Sequence, residues 1–312
     1  MTMDLRSRVL EGELMDAPDL DGASHRAALL GLRRVNFFSG TAAILSRAIV
    51  EHCRERGLGL QRPVRVLDLA CGGGDVTLAV AKQLLAADLK VHVEGWDRSA
   101  TAIAFAQSRL EQLNPKHSAA HSALGRSTLN ATKAPAEHAH PDTAYLDAAG
   151  SVTAKSDAAN SDAAGLDVCV AGGTGAPMIS FHQRAMTDLN GDDLSRSGQK
   201  RAPAFDVVMC TLFLHHLSSE QASDCLKGMY AAACELVLVD DLRRTWLGYR
   251  LAQLGCQLLT RSPIVHIDGP LSVRAAFTED EVKLLSQRAG LPEPVTSRHW
   301  PQRFLMKWKR HQ

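Results

Sequence analysis

Four short segments of the chain are almost entirely apolar and rich in β-branched residues, the pattern of strands buried on both faces. They are VRVLDLA at 64–70, VHVEGWD at 91–97, FDVVMCTLFL at 205–214 and ELVLVDD at 235–241. The first three are followed by segments whose apolar residues recur at helical spacing. Buried strands that alternate with helices predict an α/β fold with a doubly wound, mostly parallel sheet.

The sequence around this pattern predicts the domain organisation. Residues 1–61 are expected to form a helical cap, and residues 62–312 to form the α/β domain. Residues 114–177 contain seventeen alanines and a single aromatic residue, Tyr145, so they cannot bury enough apolar surface to offset the entropy of ordering. We expect a disordered insertion there, which interrupts the domain rather than joining two domains.

The part of the chain after ELVLVDD at 235–241 predicts two helices and the last strands. WLGYRLAQLGCQLLT is expected to be a helix that Pro263 ends, and the segment 262–277 a long loop. Either this loop or the N-terminal helices would close over a substrate. TEDEVKLLSQRAG predicts a capped helix stopped by Gly290. The final residues, VTSRHWPQRFLMKWKR, are expected to supply the last strands.

Composition and charge argue against several classes of protein. Lys+Arg 35 and Asp+Glu 34 give a net charge of +1, which offers no overall field for holding nucleic acid or an anionic membrane. The absence of a signal-peptide pattern and of a run of about 18 apolar residues predicts a cytoplasmic protein without integral membrane association.

Cysteine and histidine usage predicts no disulfide and no metal site. The seven cysteines are scattered and contain no C-x-x-C pair. Four histidines lie in the alanine-rich insertion, where we expect their spacing to be accidental: His117, His121, His138 and His140.

A glycine-rich loop, DLACGGG at 68–74, follows the first strand, and Asp97 ends the second. In an open parallel sheet, ligands bind at the carboxyl ends of the strands, where small residues let the backbone approach them. Asp97 lies 23 positions after Gly74, near the offset of roughly 20 residues at which a carboxylate binds ribose hydroxyls in such folds. The pattern predicts a nucleoside cofactor.

Asp68 indicates which nucleoside cofactor this is. Its carboxylate would repel a pyrophosphate but attract the amino group and the sulfonium of S-adenosylmethionine. The dinucleotide fingerprint G-x-G-x-x-G/A is also broken here by Thr77. A second glycine-rich segment, AGGTGAP at 171–177, has no helical pattern behind it and is not expected to bind a ligand.

As a set, VLDLACGGGDVT, VEGWDRS and FDVVMCTLFLHHL resemble the class I S-adenosylmethionine-dependent methyltransferases, in particular the small-molecule branch of quinone and polyketide pathways. The resemblance covers residues 62–113 and 178–312 and implies a Rossmann-like methyltransferase fold with S-adenosylmethionine as cofactor. It places Asp68, Ala70, Cys71, Gly72 and Gly74 around the methionine part, Asp97 and Arg98 at the adenosine, and Cys210 and Leu212 on the cofactor's floor.

The sequence departs from that family where the adenine amine is usually bound. The segment MISFHQRAMTDL at 178–189 supplies the third strand of the sheet in that resemblance. After this strand the family usually has an acidic residue four positions beyond an aromatic or apolar one, and counting from Phe181 gives Ala185. Two alternatives for binding the adenine amine are hydrogen bonds with the backbone of Met186 and the side chain of Asp188 in a shifted register.

Three histidines are candidates for the base that removes a proton from the acceptor. His215 and His216 follow a strand at its carboxyl end, and an imidazole with a reference pKa of about 6.5 suits a phenol with a pKa of about 10. The alternative to a catalytic role is that a histidine at this place only packs beneath the cofactor or caps the next helix. His266 with Asp268 forms a second possible pair of base and orienting carboxylate, although Asp-Gly-Pro is also typical of a turn.

The sequence therefore predicts transfer of a methyl group from S-adenosylmethionine to oxygen or an activated carbon of a small phenolic, quinone-like or polyketide acceptor. TLFLHH at 211–216 differs from the Asn/Asp-Pro-Pro-aromatic signature of enzymes that methylate nucleobase or glutamine nitrogens. An NAD-dependent oxidoreductase and a non-catalytic nucleoside-binding protein are the alternatives.

Overall fold

The computed structural model describes residues 5–17, 19–113, 178–190 and 204–310. The predicted insertion at 114–177, with its four histidines and the second glycine-rich segment, lies outside the described residues.

In the described part of the chain, seven strands form one sheet whose order is β3-β2-β1-β4-β5-β7-β6. Strands β1 to β5 run parallel, and β7 pairs antiparallel with both β5 and β6. The order reverses between β1 and β4, which makes their carboxyl ends the switch point of the sheet. The strands are β1 (Val64–Leu69), β2 (Val91–Asp97), β3 (Met178–Gln183), β4 (Phe205–Thr211), β5 (Ala233–Leu242), β6 (Val295–His299) and β7 (Arg303–Lys309).

Helices cover both faces of this sheet, which confirms the predicted doubly wound, mostly parallel α/β fold of Rossmann type. The helices are α1 (Gly22–Ser39), α2 (Thr41–Arg56), α3 (Asp75–Ala86), α4 (Ala100–Leu113), α5 (Ser219–Ala232), α6 (Trp246–Leu259), α7 (Pro263–Ala275) and α8 (Glu279–Arg288). Short 3-10 helices occur at Leu14–Asp16, Met186–Asn190 and Leu214–His216.

The core lies in two layers because successive side chains of a strand point to opposite faces. Val66 and Met209 belong to the layer beneath α2 and α3, whereas Leu67 and Val208 belong to the layer beneath α5 and α8. All four side chains are fully buried. Burial on both faces explains why the central strands lack the alternation of an edge strand.

The N-terminal helices divide between the core and the carboxyl edge. Leu45 and Ile49 of α2 are fully buried in the layer beneath the sheet, so α2 packs as part of the α/β core although it precedes the predicted boundary at residue 61. Helix α1 instead contacts α4, α6 and α7.

The segment 262–277, predicted as a long loop, is mostly helix α7. Helix α6 ends at Leu259, and Pro263 begins α7 instead of ending α6. Proline is tolerated there because the first N–H groups of a helix have no partner within it. The Asp-Gly-Pro sequence lies inside α7, where Gly269 packs closely against the Cys256 sulfur.

Within the described ranges, no helix is long and apolar enough to cross a membrane. The six cysteines of those ranges are free, and Cys169 lies outside them.

Candidate functional site

The carboxyl edge of the sheet carries strained backbone at the ends of β1 and β4. Ala70 has a φ of 57° and Leu212 a φ of 51°, a left-handed conformation that side chains other than glycine rarely adopt. Such conformations cost of order 1–3 kcal/mol and cluster at ligand sites. These two residues flank the switch point, where the sequence predicts the cofactor.

Asp68, at the end of β1, is fully buried and only half satisfied. Its Oδ2 accepts a hydrogen bond of 2.6 Å from the Thr77 hydroxyl. Its Oδ1 is buried without a hydrogen-bond partner among the described residues. Burial raises the pKa of Asp68 to about 7. A buried carboxylate oxygen without a donor is costly, and it fits the amino group of a ligand.

Asp97, at the end of β2, connects the second strand to the glycine-rich loop. Its two oxygens accept hydrogen bonds from the backbone N–H groups of Gly72, at 2.9 Å, and Ser99, at 2.8 Å. Burial raises the pKa of Asp97, and these two bonds oppose the rise. The carboxylate thus orders the loop and keeps acceptor capacity for a further donor.

The two predicted loop glycines have different reasons to be glycine. Gly72 has a φ of +52°, and a Cβ there would meet nothing within 4 Å, so the space beside it is open. Gly74 has a φ of +69°, and a Cβ there would lie 2.6 Å from the Phe181 ring. Gly72 therefore leaves room for a ligand, whereas Gly74 lets α4 and β3 pack closely.

The remaining side chains predicted to contact the cofactor differ in how far they are exposed to solvent. Arg98 is exposed and pairs with Asp16 at 3.0 Å. The thiols of Cys71 and Cys210 are buried, which holds the pKa of each well above its usual value. Met186 packs against the apolar layer under α5 and α8.

The acidic candidate for the adenine contact, Asp188, already uses one of its two carboxylate oxygens within the chain. Asp188 accepts a hydrogen bond of 2.9 Å from the backbone N–H of Ala185, so one of its carboxylate oxygens caps the turn after β3. The residue at the family position, Ala185, offers only backbone groups.

His215 is held by a carboxylate that the sequence analysis does not single out. The Nδ1 atom of His215 lies 2.6 Å from Asp241 Oδ1, and its backbone N–H donates to Asp241 Oδ2 at 3.1 Å. Burial acts to raise the pKa of Asp241, but the charge and hydrogen bond of His215 hold it below its usual value. Because Nδ1 is engaged, Nε2 is the free nitrogen, and it lies 3.7 Å from Glu13 Oε1.

His216 has the same arrangement with different carboxylates. Its Nδ1 lies 3.1 Å from Asp16 Oδ2, and its Nε2 lies 3.8 Å from Glu13 Oε2. Burial acts to lower the pKa of His216, but the bond to Asp16 and the charge of Glu13 raise it overall. Both predicted histidines thus present Nε2 to one carboxylate, that of Glu13.

Glu13 reaches this place because the N-terminal segment 5–17 crosses the carboxyl edge of the sheet. The Arg8 guanidinium donates to the backbone oxygens of His215, at 2.7 Å, and Leu217. Asp268 of α7 accepts hydrogen bonds from the backbone N–H groups of Leu14, at 2.9 Å, and Met15, at 3.0 Å. The segment is therefore fixed to both α7 and the loop after β4.

His266 and Asp268 do not form the predicted pair of base and orienting carboxylate. The Nε2 atom of His266 lies 2.8 Å from the backbone oxygen of Thr260, and Asp268 binds the N-terminal segment instead. The helical conformation of α7 is the reason, since residues two apart point to different sides of a helix.

Sequence reasoning missed Glu13, Asp16 and Asp241. Asp241 carries a usable signal, because it ends an apolar strand at the same edge as the two histidines. Glu13 and Asp16 carry none, since they lie about 200 positions before the histidines they contact.

No family model and no curated protein matches this sequence. Among solved structures, the chain is similar to the plantazolicin methyltransferase BpumL in complex with SAH, at 14% identity over 95% of this chain and 92% of that one, with a TM-score of 0.48. It is also similar to magnesium protoporphyrin IX methyltransferase from Synechocystis PCC 6803 with bound SAM, at 11% identity over 96% and 88%, with a TM-score of 0.41.

A further similar structure is a SAM-dependent methyltransferase from Aquifex aeolicus, at 12% identity over 81% of this chain and 86% of that one, with a TM-score of 0.41.

Proposed function

We propose that this chain transfers a methyl group from S-adenosylmethionine to a small acceptor with an ionisable hydroxyl or an activated carbon, such as a phenolic, quinone-like or polyketide compound. The observation that carries the proposal is the fully buried Oδ1 of Asp68 at the switch point of the sheet, which has no hydrogen-bond partner among the described residues. An ammonium group is the partner that such a carboxylate requires.

The residues around Asp68 fit the other parts of the cofactor. The open space beside Gly72 and the strained backbone of Ala70 let a ligand approach the loop. Asp97 keeps acceptor capacity for the ribose hydroxyls, and the backbone near Met186 is left to bind the adenine. Arg98 and the backbone at Cys71, Cys210 and Leu212 complete the proposed cofactor site.

The acceptor end of the site is formed by His215, His216 and Glu13. S-adenosylmethionine supplies a methyl group on a positively charged sulfur, and the carbon–sulfur bond breaks as the bond to the acceptor oxygen or carbon forms. The proton of the acceptor must leave, and we assign its removal to His215 or His216, whose Nε2 atoms face Glu13 at 3.7 and 3.8 Å and make no hydrogen bond among the described residues. Asp241 fixes the tautomer of His215 for this role.

The N-terminal segment 5–17 and α1 are proposed to cap the site and to exclude water from it. Arg8 and Asp268 fix that segment across the carboxyl edge. This proposal keeps only the first part of the cap predicted for residues 1–61, because α2 packs in the core.

Calorimetric titration of the full chain with S-adenosylmethionine, S-adenosylhomocysteine, NADH and NADPH tests the proposed cofactor. We expect the two sulfur compounds to bind and the two dinucleotides not to bind, because the pyrophosphate of a dinucleotide is repelled by Asp68. Binding of NADH without binding of S-adenosylmethionine would favour the oxidoreductase alternative instead. Binding without methyl transfer to a broad panel of phenols would favour a non-catalytic nucleoside-binding protein.

A further inference from the structure

Glu13, His215 and His216 bring three metal-ligating side chains to one point of the carboxyl edge. One ligand atom from each residue lies within 4.8 Å of the other two. The Glu13 oxygens lie 3.7 Å from His215 Nε2 and 3.8 Å from His216 Nε2. Ligands that bind one ion at about 2.0–2.2 Å are separated by similar distances, so little movement would close the site.

The second nitrogen of each imidazole is engaged in the way typical of metal-binding histidines. His215 Nδ1 pairs with Asp241 at 2.6 Å, and His216 Nδ1 pairs with Asp16 at 3.1 Å. A carboxylate on Nδ1 fixes the ring and leaves the lone pair of Nε2 for a metal ion. The Nε2 atoms of His215 and His216 both face the carboxylate of Glu13. A histidine that acts only as a proton acceptor does not need a carboxylate at this nitrogen.

Glu13 is itself held from outside the cluster. The Ser272 hydroxyl donates to Glu13 Oε1 at 2.5 Å, and Asp268 binds the two backbone N–H groups that follow Glu13. Three separate parts of the chain, the N-terminal segment, the loop after β4 and α7, therefore fix the positions of the three candidate ligands.

The charges at this point favour a cation. Glu13, Asp16 and Asp241 surround the two imidazoles, and Arg98 pairs with Asp16. Among the described residues, neither Glu13 nor Asp241 forms an ion pair with an arginine or a lysine. Arg8 and Arg303 act on the Asp241 carboxylate at longer range, so a protonated histidine or a bound cation would be the nearest charge to balance these carboxylates.

We propose that Glu13, His215 and His216 bind one divalent first-row transition metal ion at the acceptor end of the site. Two imidazoles and one carboxylate suit Zn²⁺, Co²⁺, Fe²⁺ or Ni²⁺ better than Mg²⁺ or Ca²⁺, which prefer oxygen ligands. Three protein ligands leave open positions, as in catalytic rather than structural sites.

The binding of the ion is independent of the proposed methyl transfer, but its role rests on that function. An acceptor hydroxyl that coordinates the ion through its oxygen loses its proton to water more easily, because the ion stabilises the negative oxygen. In that case the two imidazoles act on the acceptor through the ion rather than as bases.

Cobalt is the probe that tests this proposal, because Co²⁺ bound to imidazole and carboxylate absorbs visible light. The full chain is freed of metal with a chelator and then titrated with Co²⁺, followed by absorbance and by calorimetry. We expect binding of one ion that Glu13→Gln and His216→Asn each weaken at least tenfold. Asp16→Asn should weaken it about tenfold or more, because it loosens a ligand ring without removing a ligand.

Glu11→Gln and His92→Asn are the matched controls, because they change the same residue types outside the cluster. Glu11 pairs with Arg274 instead, and His92 lies in β2. Both should bind Co²⁺ as the unchanged chain does, and circular dichroism checks that every variant folds.

The proposal is overturned if Co²⁺ does not bind, or if it binds equally to Glu13→Gln, His216→Asn and the unchanged chain. The first result means that protonated histidine balances the carboxylates, and the second that the ion binds elsewhere. S-adenosylhomocysteine binding, measured on the same metal-free protein, tests the cofactor site separately. If S-adenosylhomocysteine binds and Co²⁺ does not, the metal site is wrong and the cofactor site stands. If Co²⁺ binds and S-adenosylhomocysteine does not, the cofactor site is wrong and the metal site stands.

Discussion

At the scale of single residues, the buried carboxyl of Asp68 lowers the stability of the folded chain where it is ionised. The pKa of this carboxyl is about 7 in the folded chain, against an ordinary value of 3.8, because burial disfavours its charged form. The folded state thus holds a proton that the unfolded state releases between these two values. Stability is therefore expected to fall as the pH rises from about 4 to 7.

Replacing Asp68 by asparagine should stabilise the protein without its cofactor. At pH 8, where Asp68 is ionised, Asp68→Asn removes the buried charge and should raise the free energy of unfolding by up to about 4 kcal/mol, at 1.4 kcal/mol per unit of pKa. Urea denaturation at pH 8 and pH 4 measures the difference, which should shrink at pH 4. Asp224→Asn, at an exposed position of α5, should change neither value. Equal stability of Asp68→Asn and the unchanged chain at both pH values contradicts this account of Asp68.

Cofactor affinity should depend on pH through the same group. Because an ammonium ligand requires the Asp68 carboxylate to be ionised, the Kd for S-adenosylhomocysteine should be about tenfold higher at pH 6 than at pH 8. In Asp68→Asn the affinity should be lower and should not vary over this range. Calorimetry at the two pH values measures both, and a pH dependence that survives in Asp68→Asn would assign the effect to another group.

The two histidines should affect turnover rather than cofactor binding. We expect His215→Ala and His216→Ala to lower kcat by about 10²-fold or more, since both are proposed to act at the acceptor. The Kd for S-adenosylhomocysteine should stay within about twofold of the original value. Product formation from a phenol panel, followed by mass spectrometry, measures the first quantity. Unchanged rates in both variants would remove the histidines from the reaction.

At the scale of secondary-structure elements, the N-terminal segment 5–17 depends on α7 for its position. The contact is made by Asp268, whose carboxylate accepts hydrogen bonds from the backbone N–H groups of Leu14 and Met15 in the 3-10 helix Leu14–Asp16. Removal of the acceptor leaves two N–H groups without a partner, at a cost of about 1–3 kcal/mol for each group that stays buried.

Asp268→Ala should release the segment while the sheet stays intact. We expect faster hydrogen exchange at residues 13–16 and a higher KM for the acceptor, with no change in cofactor affinity. Glu11→Ala is the control, because Glu11 lies on the same segment but is half exposed and pairs with Arg274. Exchange that is as slow in Asp268→Ala as in the control would show that other contacts hold the segment.

The elements also show where sequence patterns are sufficient. The capped helix α8 could be predicted because its signal is local: Thr278 and Glu281 form a capping box over four residues. Helix α7 could not, because Asp-Gly-Pro is typical of a turn. Its conformation is stabilised instead by packing of Gly269 against Cys256 of α6, which no local pattern reveals.

At the scale of the whole molecule, the sheet could be predicted and the acceptor end of the site could not. Continuous apolar strands specify a sheet covered on both faces, and the glycine-rich loop and Asp97 specify its cofactor edge. Glu13, by contrast, reaches His215 only because the chain before α1 folds back across that edge. A contact over about 200 positions leaves no periodic trace in the sequence.

The packing of α2 leads to a prediction about the domain boundary. Ile49 is fully buried between α2 and the sheet, so Ile49→Ala should lower the free energy of unfolding by about 2–5 kcal/mol. Leu84→Ala in α3, on the same face, should cost a similar amount, and both should unfold in one transition. Denaturant unfolding measures this. A much smaller loss for Ile49→Ala would mean that α2 belongs to a separate cap, as the boundary at residue 61 implies.

The central claim is that the buried carboxylate of Asp68 binds the amino group of S-adenosylmethionine. A crystal structure of the full chain with S-adenosylhomocysteine tests it most directly. The account predicts that the ligand's amino nitrogen lies within hydrogen-bond distance of Asp68 Oδ1, with its ribose beside Asp97. A structure in which that amino group lies elsewhere, with Asp68 Oδ1 still unpartnered, would contradict the claim.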